Sequence, residues 1–143
     1  MADAIQVADR LHSAAIHLLR RVRREDAGSG LSAARLSALS VIVYAGPLSL
    51  GRLADAEQVR SPTMTRIVDQ LVESGLAEKE PAPGDARRTL VRATAAGVAL
   101  TAEGRRRRVA SLSRDLEALP VEELATLEQA AEILERVVGR SHP

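Results

Sequence analysis

Cysteine is absent from all 143 residues. With it go disulfides, thiolate nucleophiles, thiol-oxidation switches and cysteine-ligated zinc. Phenylalanine and tryptophan are missing too, and Tyr44 is the only aromatic residue, so a pocket that grips a ring by stacking has little to build with. Lysine is nearly absent: Lys79 stands alone, and the other nineteen of the twenty basic residues are arginine. No apolar run approaches the roughly 20 residues that a membrane-spanning helix needs. The opening stretch MADAIQVADR has neither the basic start nor the apolar core of a secretory signal. The simplest address is therefore the cytoplasm, with no membrane partner. No nucleophile–base pair, paired carboxylates or phosphate-cradling glycine loop stands out, which argues against an enzyme, and no cofactor is implied.

What is present is the make-up of a globular protein: 45% hydrophobic and 27% charged residues, in a chain long enough for one compact domain with a core. The net charge of +1 announces no partner. Between Arg52 and Arg92, seven basic residues (52, 60, 66, 79, 87, 88, 92) meet seven acidic ones (55, 57, 69, 73, 78, 80, 85). The positives nevertheless gather at Arg60 with Arg66, and at Arg87, Arg88 and Arg92. A nucleic-acid surface needs positive charge where it meets phosphate, not everywhere, so the pattern permits DNA binding without demanding it.

Hydrophobic periodicity orders the chain. Ile5, Ala8, Leu11, Ala15, Leu18 and Val22 recur at three- and four-residue steps and predict a first helix, stopped by Gly28-Ser29-Gly30. Ser32 is positioned to cap a second helix that ends at Gly46-Pro47. Two short helices follow. Ser49 caps the first in this reading, and Ser61 the second, with Pro62 at its first helical position and Gly75 as its left-handed stop. Ile67, Val68, Leu71 and Val72 face inward on that second helix. Leu76 to Glu80 and Arg88 to Thr94 read as two strands joined by a polar loop over residues 81–87. A long helix follows, carrying Val109, Leu112, Leu116 and Leu119, and Pro120 breaks it. The last helix, from near Val121, repeats apolar residues at Leu124, Leu127, Ala131, Leu134 and Val138, the spacing of a helix packed along another helix.

The middle pair has the make-up of a helix-turn-helix. Leu53-Ala54 supplies a small crossing residue, Asp55 to Arg60 the turn with Val59 as a buried plug, and Ser61 to Ser74 a recognition helix. Ser61, Thr63, Thr65 and Arg66 in its first turn are short hydroxyls and an arginine suited to phosphates and base edges. An ordinary helix hairpin with a polar start fits the same spacing. The hairpin that follows adds weight, since Arg87 on a β-loop can enter a narrow minor groove. Asp85 would either steer that arginine or cap the turn locally.

Taken together, SPTMTRIVDQLVESGLAEKE and DARRTLVRATAAG resemble the MarR family of bacterial transcription regulators, over nearly the whole chain. Asp85, Arg87, Thr94 and Gly97 match the family's wing pattern, while Ala93 stands where leucine is usual. Gln58 lies near the place of a glycine often seen in the helix-turn-helix turn. The resemblance implies a mainly α fold with a small β-hairpin wing, a winged helix-turn-helix with N- and C-terminal dimerisation helices. The regions would be 1–30, 31–97 and 98–143. It implies a sequence-specific regulator binding double-stranded DNA as a homodimer, a repressor on a pseudo-palindromic operator, released by a small-molecule effector. The alternative is a dimeric interaction module without an operator. Ser61, Pro62, Thr63, Thr65 and Arg66 are then assigned to the major groove and Arg87 to the minor groove. Asp85 orients Arg87, and Arg60 and Arg88 meet phosphates. Ile5, Leu11, Leu18, Leu116, Leu124, Leu127, Leu134 and Val138 are expected to form the dimer contacts, since one small winged domain cannot cover both terminal stripes.

Other features read as structural. Arg105 to Arg108 point about 100° apart around a helix and cannot form one patch; a solvated surface with local ion pairs accounts for them. His12 and His17 are spaced poorly for a shared metal, and His142 lies near the end of the chain, so no metal site is expected. Met64 is expected to pack rather than to read DNA.

Overall fold

The computed structural model describes Met1 and residues 3–139. In chain order its elements are α1 (Ala4–Arg23), a 3-10 turn (Arg24–Ser29), α2 (Ala33–Ala45), β1 (Leu48–Ser49), α3 (Leu50–Glu57), α4 (Ser61–Glu73), β2 (Ala77–Ala82), β3 (Asp85–Ala93), α5 (Ala95–Leu116) and α6 (Val121–Gly139). The mainly helical architecture with a small β wing is thus the one the sequence implies. His142 lies outside the described residues. Among the described residues no single helix is long and apolar enough to cross a membrane.

The chain divides into two compact units, Met1–Arg108 and Val109 onward. The core of the first is built where α2, α3, α4 and the sheet meet. Leu39, Leu53, Met64, Val68, Leu71 and Val91 are fully buried there, with Ile42 nearly so. Met64 packs inside, as expected. Val72 does not: it stands a residue beyond the Leu71 face and remains 36% exposed.

Side chains start most of the helices. Asp3 accepts from the Ile5 N–H, Ser32 from Arg35 and Ser49 from Arg52, which satisfies amides with no partner inside the helix. The sheet is antiparallel in the order β1-β3-β2, and β1, too short for a sequence pattern, pairs Leu48 with Val91 and Ser49 with Leu90.

The Thr94–Gly97 segment locks the wing onto α5. The Thr94 hydroxyl donates to the Gly75 carbonyl at 2.6 Å and accepts from the Gly97 N–H at 3.2 Å, so one side chain ties the end of α4 to the start of α5. The Thr94 N–H also donates to the Leu76 carbonyl at 3.1 Å. Gly97 is buried at this crossing, and a Cβ there would collide with the Leu76 carbonyl oxygen. The Thr-x-x-Gly spacing is a packing requirement of this corner.

Candidate nucleic-acid interface

The helix-turn-helix is α3, a turn and α4. Leu53 and Ala54 of α3 are buried at the crossing. The turn rests on Gln58, whose φ of 55° is left-handed. That geometry lets the Gln58 N–H reach the Asp55 carbonyl and the Val59 N–H the Ala54 carbonyl at 3.0 Å. It also carries Val59 away from the interior, so Val59 is 36% exposed and is not the buried plug, whereas Met64 is fully buried in the core. A left-handed conformation costs a non-glycine residue roughly 1–2 kcal/mol. Gln58→Gly is therefore expected to raise stability by up to about 1 kcal/mol once the extra freedom of the unfolded glycine is set against the relief. Chemical denaturation checks it, and a loss of stability would contradict the strain.

α4 starts one residue earlier than its composition implies. The first helical bond runs from the Met64 N–H to the Arg60 carbonyl, so Arg60 is the cap, Ser61 the first helical residue and Pro62 the second. Arg60 has no acceptor to offer, and no side chain caps this helix. α4 thus differs from α1, α2 and α3: its first amides are open, with the positive end of the helix dipole behind them. An uncapped helix start of this kind suits a phosphate oxygen. Ser61, Pro62, Thr63 and Arg66 are exposed and Thr65 half-buried, while the opposite face is held by Met64, Ile67, Val68 and Leu71. The Thr65 hydroxyl donates to the Ser61 carbonyl at 2.9 Å, which fixes its orientation.

The wing is more regular than expected, since most of the anticipated 81–87 loop is strand. Only Pro83 and Gly84 form the tip, with Gly84 at φ 77°. The ladder breaks between Pro81, which pairs with Thr89, and Ala82, which pairs with Asp85. Ala86, Arg87 and Arg88 fall in that break and have no cross-strand partner in the ladder, an irregularity of the kind that re-aims side chains. Asp85 accepts from the Arg87 backbone N–H at 3.0 Å. Of the two roles open to it, this is the local one: it shapes the turn from which Arg87 projects and does not grip the guanidinium.

The balanced charges of this region are sorted by the fold. Lys79 pairs with Asp69 at 2.6 Å, and Arg92 pairs with Glu78 and Glu80. Arg52, Arg60, Arg66, Arg87 and Arg88 are all exposed, and among the described residues none has a carboxylate partner. Arg52, in the first turn of α3, was not singled out by the sequence reading; a lone arginine amid balanced charge carries no signal there. Positive charge is thus left free on α3, α4 and the wing.

The terminal helices present the opposite kind of surface. No residue of α1 or α6 is buried. Ile5 is 74% exposed, Leu18 48% and Val138 60%, and Leu11, Leu127 and Leu134 are exposed as well. Leu116 and Leu124 are half-buried, and line an apolar groove with Leu127. Of the arginine run, Arg106 and Arg107 make the local ion pairs expected with Glu103, whereas Arg108 reaches Asp26 instead. Among the described residues no three His, Asp or Glu side chains gather as metal ligands.

Comparison with known proteins adds to this geometry. A model of the MarR family matches residues 31–89. An HTH-type transcriptional regulator of Mycobacterium tuberculosis is 33% identical over 136 residues, covering 95% of each chain. An HTH-type regulator of Mycobacterium leprae is 32% identical over the same share. Among solved structures, a transcriptional regulator of Thermotoga maritima shares the fold with a TM-score of 0.82 at 23% identity, over 95% of this chain and 96% of that one. Wild-type apo MarR of E. coli gives a TM-score of 0.72 at 24% identity, over 94% and 98% of the two chains.

Proposed function

Since the chain belongs to the MarR family of DNA-binding transcriptional regulators, we propose that it acts as a homodimeric repressor on a pseudo-palindromic operator. The first turn of α4, with Ser61, Pro62, Thr63, Thr65 and Arg66, enters the major groove. Arg87 enters the adjoining minor groove, and Arg60 and Arg88 neutralise phosphates. The observation that carries this reading is the uncapped start of α4 flanked by exposed arginines without carboxylate partners. An interaction module with no nucleic-acid partner would gain nothing from leaving both unsatisfied.

The dimer follows from the apolar faces of α1 and α6, which a lone chain leaves in water. Long helices with one apolar stripe draw their stability from packing that stripe, and a second copy offers the same stripes in two-fold register. Two α4 helices related by a two-fold axis would meet the same face of DNA about one turn apart, roughly 34 Å. Release from DNA by a small ligand completes the reading, and the cytoplasm is where it operates.

A salt titration tests it. Operator affinity is expected to fall steeply and linearly on a log–log plot as salt rises, because phosphate contacts release counterions. Arg66→Ala is expected to lose roughly 1–3 kcal/mol of discrimination between bases at one position. A flat salt response would contradict DNA binding. An Arg66 loss that is uniform across sequences would demote that residue to a phosphate contact.

A further inference from the structure

The groups assigned to neighbouring grooves, the first turn of α4 and Arg87, sit on different elements, and DNA fixes the spacing between its grooves. Whatever holds α4 and the wing at one angle is therefore part of recognition. The corner between them, Ser74 to Leu76, is a pivot: Gly75 is left-handed, and the Leu76 N–H donates to the Leu71 carbonyl at 2.9 Å. Packing extends only to the base of the wing. Ala77 and Val91 are buried, and no residue from Lys79 to Leu90 is.

One ion pair ties the two elements where that packing ends. Lys79, the single lysine of the chain, stands opposite Val91 in the ladder and so shares its face of the sheet. Its Nζ meets Asp69 Oδ1 of α4 at 2.6 Å. Asp69 and Lys79 lie on either side of the Ser74–Gly75 turn, so the pair spans the pivot. Among the described residues no other ion pair joins α4 to the wing. Glu78 and Glu80 alternate to the opposite face, where both pair with Arg92 of β3. The hairpin is thus clasped within itself on one face and tied to α4 on the other.

Asp69 is otherwise out of place. It follows Thr65 and Arg66 by four and three residues, which puts it on their exposed face of the helix. A carboxylate there repels phosphate and lowers affinity for DNA. We infer that Asp69 and Lys79 are positioning residues for DNA recognition: their ion pair sets the angle between α4 and the wing, so that Thr65 and Arg66 meet one groove while Arg87 meets the next. This role rests on the two-groove reading above and deepens it.

Anisotropy titrations test it with two duplexes, one selected by the wild-type protein from a random pool and a scrambled one of equal length. Asp69→Asn is expected to weaken the selected duplex about fivefold, the scale that an exposed ion pair supplies. The scrambled duplex should bind as before or tighter. Charge alone predicts the opposite sign for the selected duplex, since removing an acid near phosphate strengthens binding. Lys79→Met should lose the same factor, and the double variant no more than either, because each removes one and the same pair. Lys79→Arg keeps the pair and should match the wild type. Tighter binding of the selected duplex by Asp69→Asn overturns the inference, as do single effects that multiply or cancel in the double variant. A pair that only stabilises the fold would lower the unfolding temperature and leave both affinities unchanged, and that result overturns it too. Arg66→Ala and Arg87→Ala run alongside. If they weaken the selected duplex while Asp69→Asn tightens it, only the positioning role falls; a wild-type protein that selects no duplex removes the repressor reading, and this role with it.

Discussion

Arg87→Ala is expected to weaken operator binding about ten- to a hundredfold without loosening the wing. The reason lies in how the residue is held. Its backbone N–H makes the bond with Asp85, and that bond survives in alanine; its exposed guanidinium has no carboxylate partner among the described residues, so removing it breaks no ion pair. What is lost is a cation placed by the irregular stretch of β3 for the enhanced negative potential of a narrow minor groove. A direct contact of this kind is worth roughly 1–3 kcal/mol, and its loss should lower the salt slope by about one. Operators with A·T-rich flanks, where the groove is narrowest, should lose most of their advantage over others. Fluorescence anisotropy across flank variants and salt concentrations measures all three quantities. Unchanged affinity would remove the wing from the interface.

The second large effect is on stability. Gly97→Ala is expected to destabilise the protein by about 2 kcal/mol, although helix propensity alone favours alanine over glycine by nearly 1 kcal/mol. The collision with the Leu76 carbonyl decides the sign: the obstacle is backbone, and the Thr94 bonds to Gly75 and Leu76 pin it in place. Overpacking against a fixed wall costs roughly 1–3 kcal/mol or more. Gly51→Ala on α3 is the control, because nothing lies within 4 Å of a Cβ there; it should be neutral or mildly stabilising. Thermal or denaturant unfolding of the two variants gives the comparison. Opposite signs are expected, and a stabilised Gly97→Ala would show that the corner between α4 and α5 yields.

The same two regions show what the sequence reveals and what it hides. The order of helices, their serine caps at Ser32 and Ser49 and the left-handed Gly75 are local signals, readable because one residue and its near neighbours determine each. Ser61 is a good cap by type and so predicts a start for α4 one residue too late, while the hydrogen bond from the Met64 N–H to the Arg60 carbonyl makes Arg60 the cap. Val59 and Val72 are apolar, and periodicity alone sends them inward. The left-handed turn at Gln58 and the angle of the Leu71 face leave both partly in water. Residues 81–87 read as a loop because Pro, Gly and Asp crowd them; the pairing of Pro81 with Thr89 depends on β2 and β3 meeting across a ladder that breaks after Pro81, which turn composition does not reveal. The reach of Arg108 to Asp26 crosses 82 residues and has no local trace beyond an odd glycine in a helix. Side chains that serve the interface are legible by type. Their pairing state, free on α3, α4 and the wing but satisfied on the sheet, is visible only in three dimensions.

The central claim, a two-fold dimer reading a symmetric operator, is tested most directly by selecting bound duplexes from a random DNA pool with the purified protein at moderate salt. The account predicts an enriched inverted repeat whose half-site centres lie about one helical turn apart. A folded, dimeric sample that enriches no sequence, or only a single isolated half-site, would contradict it.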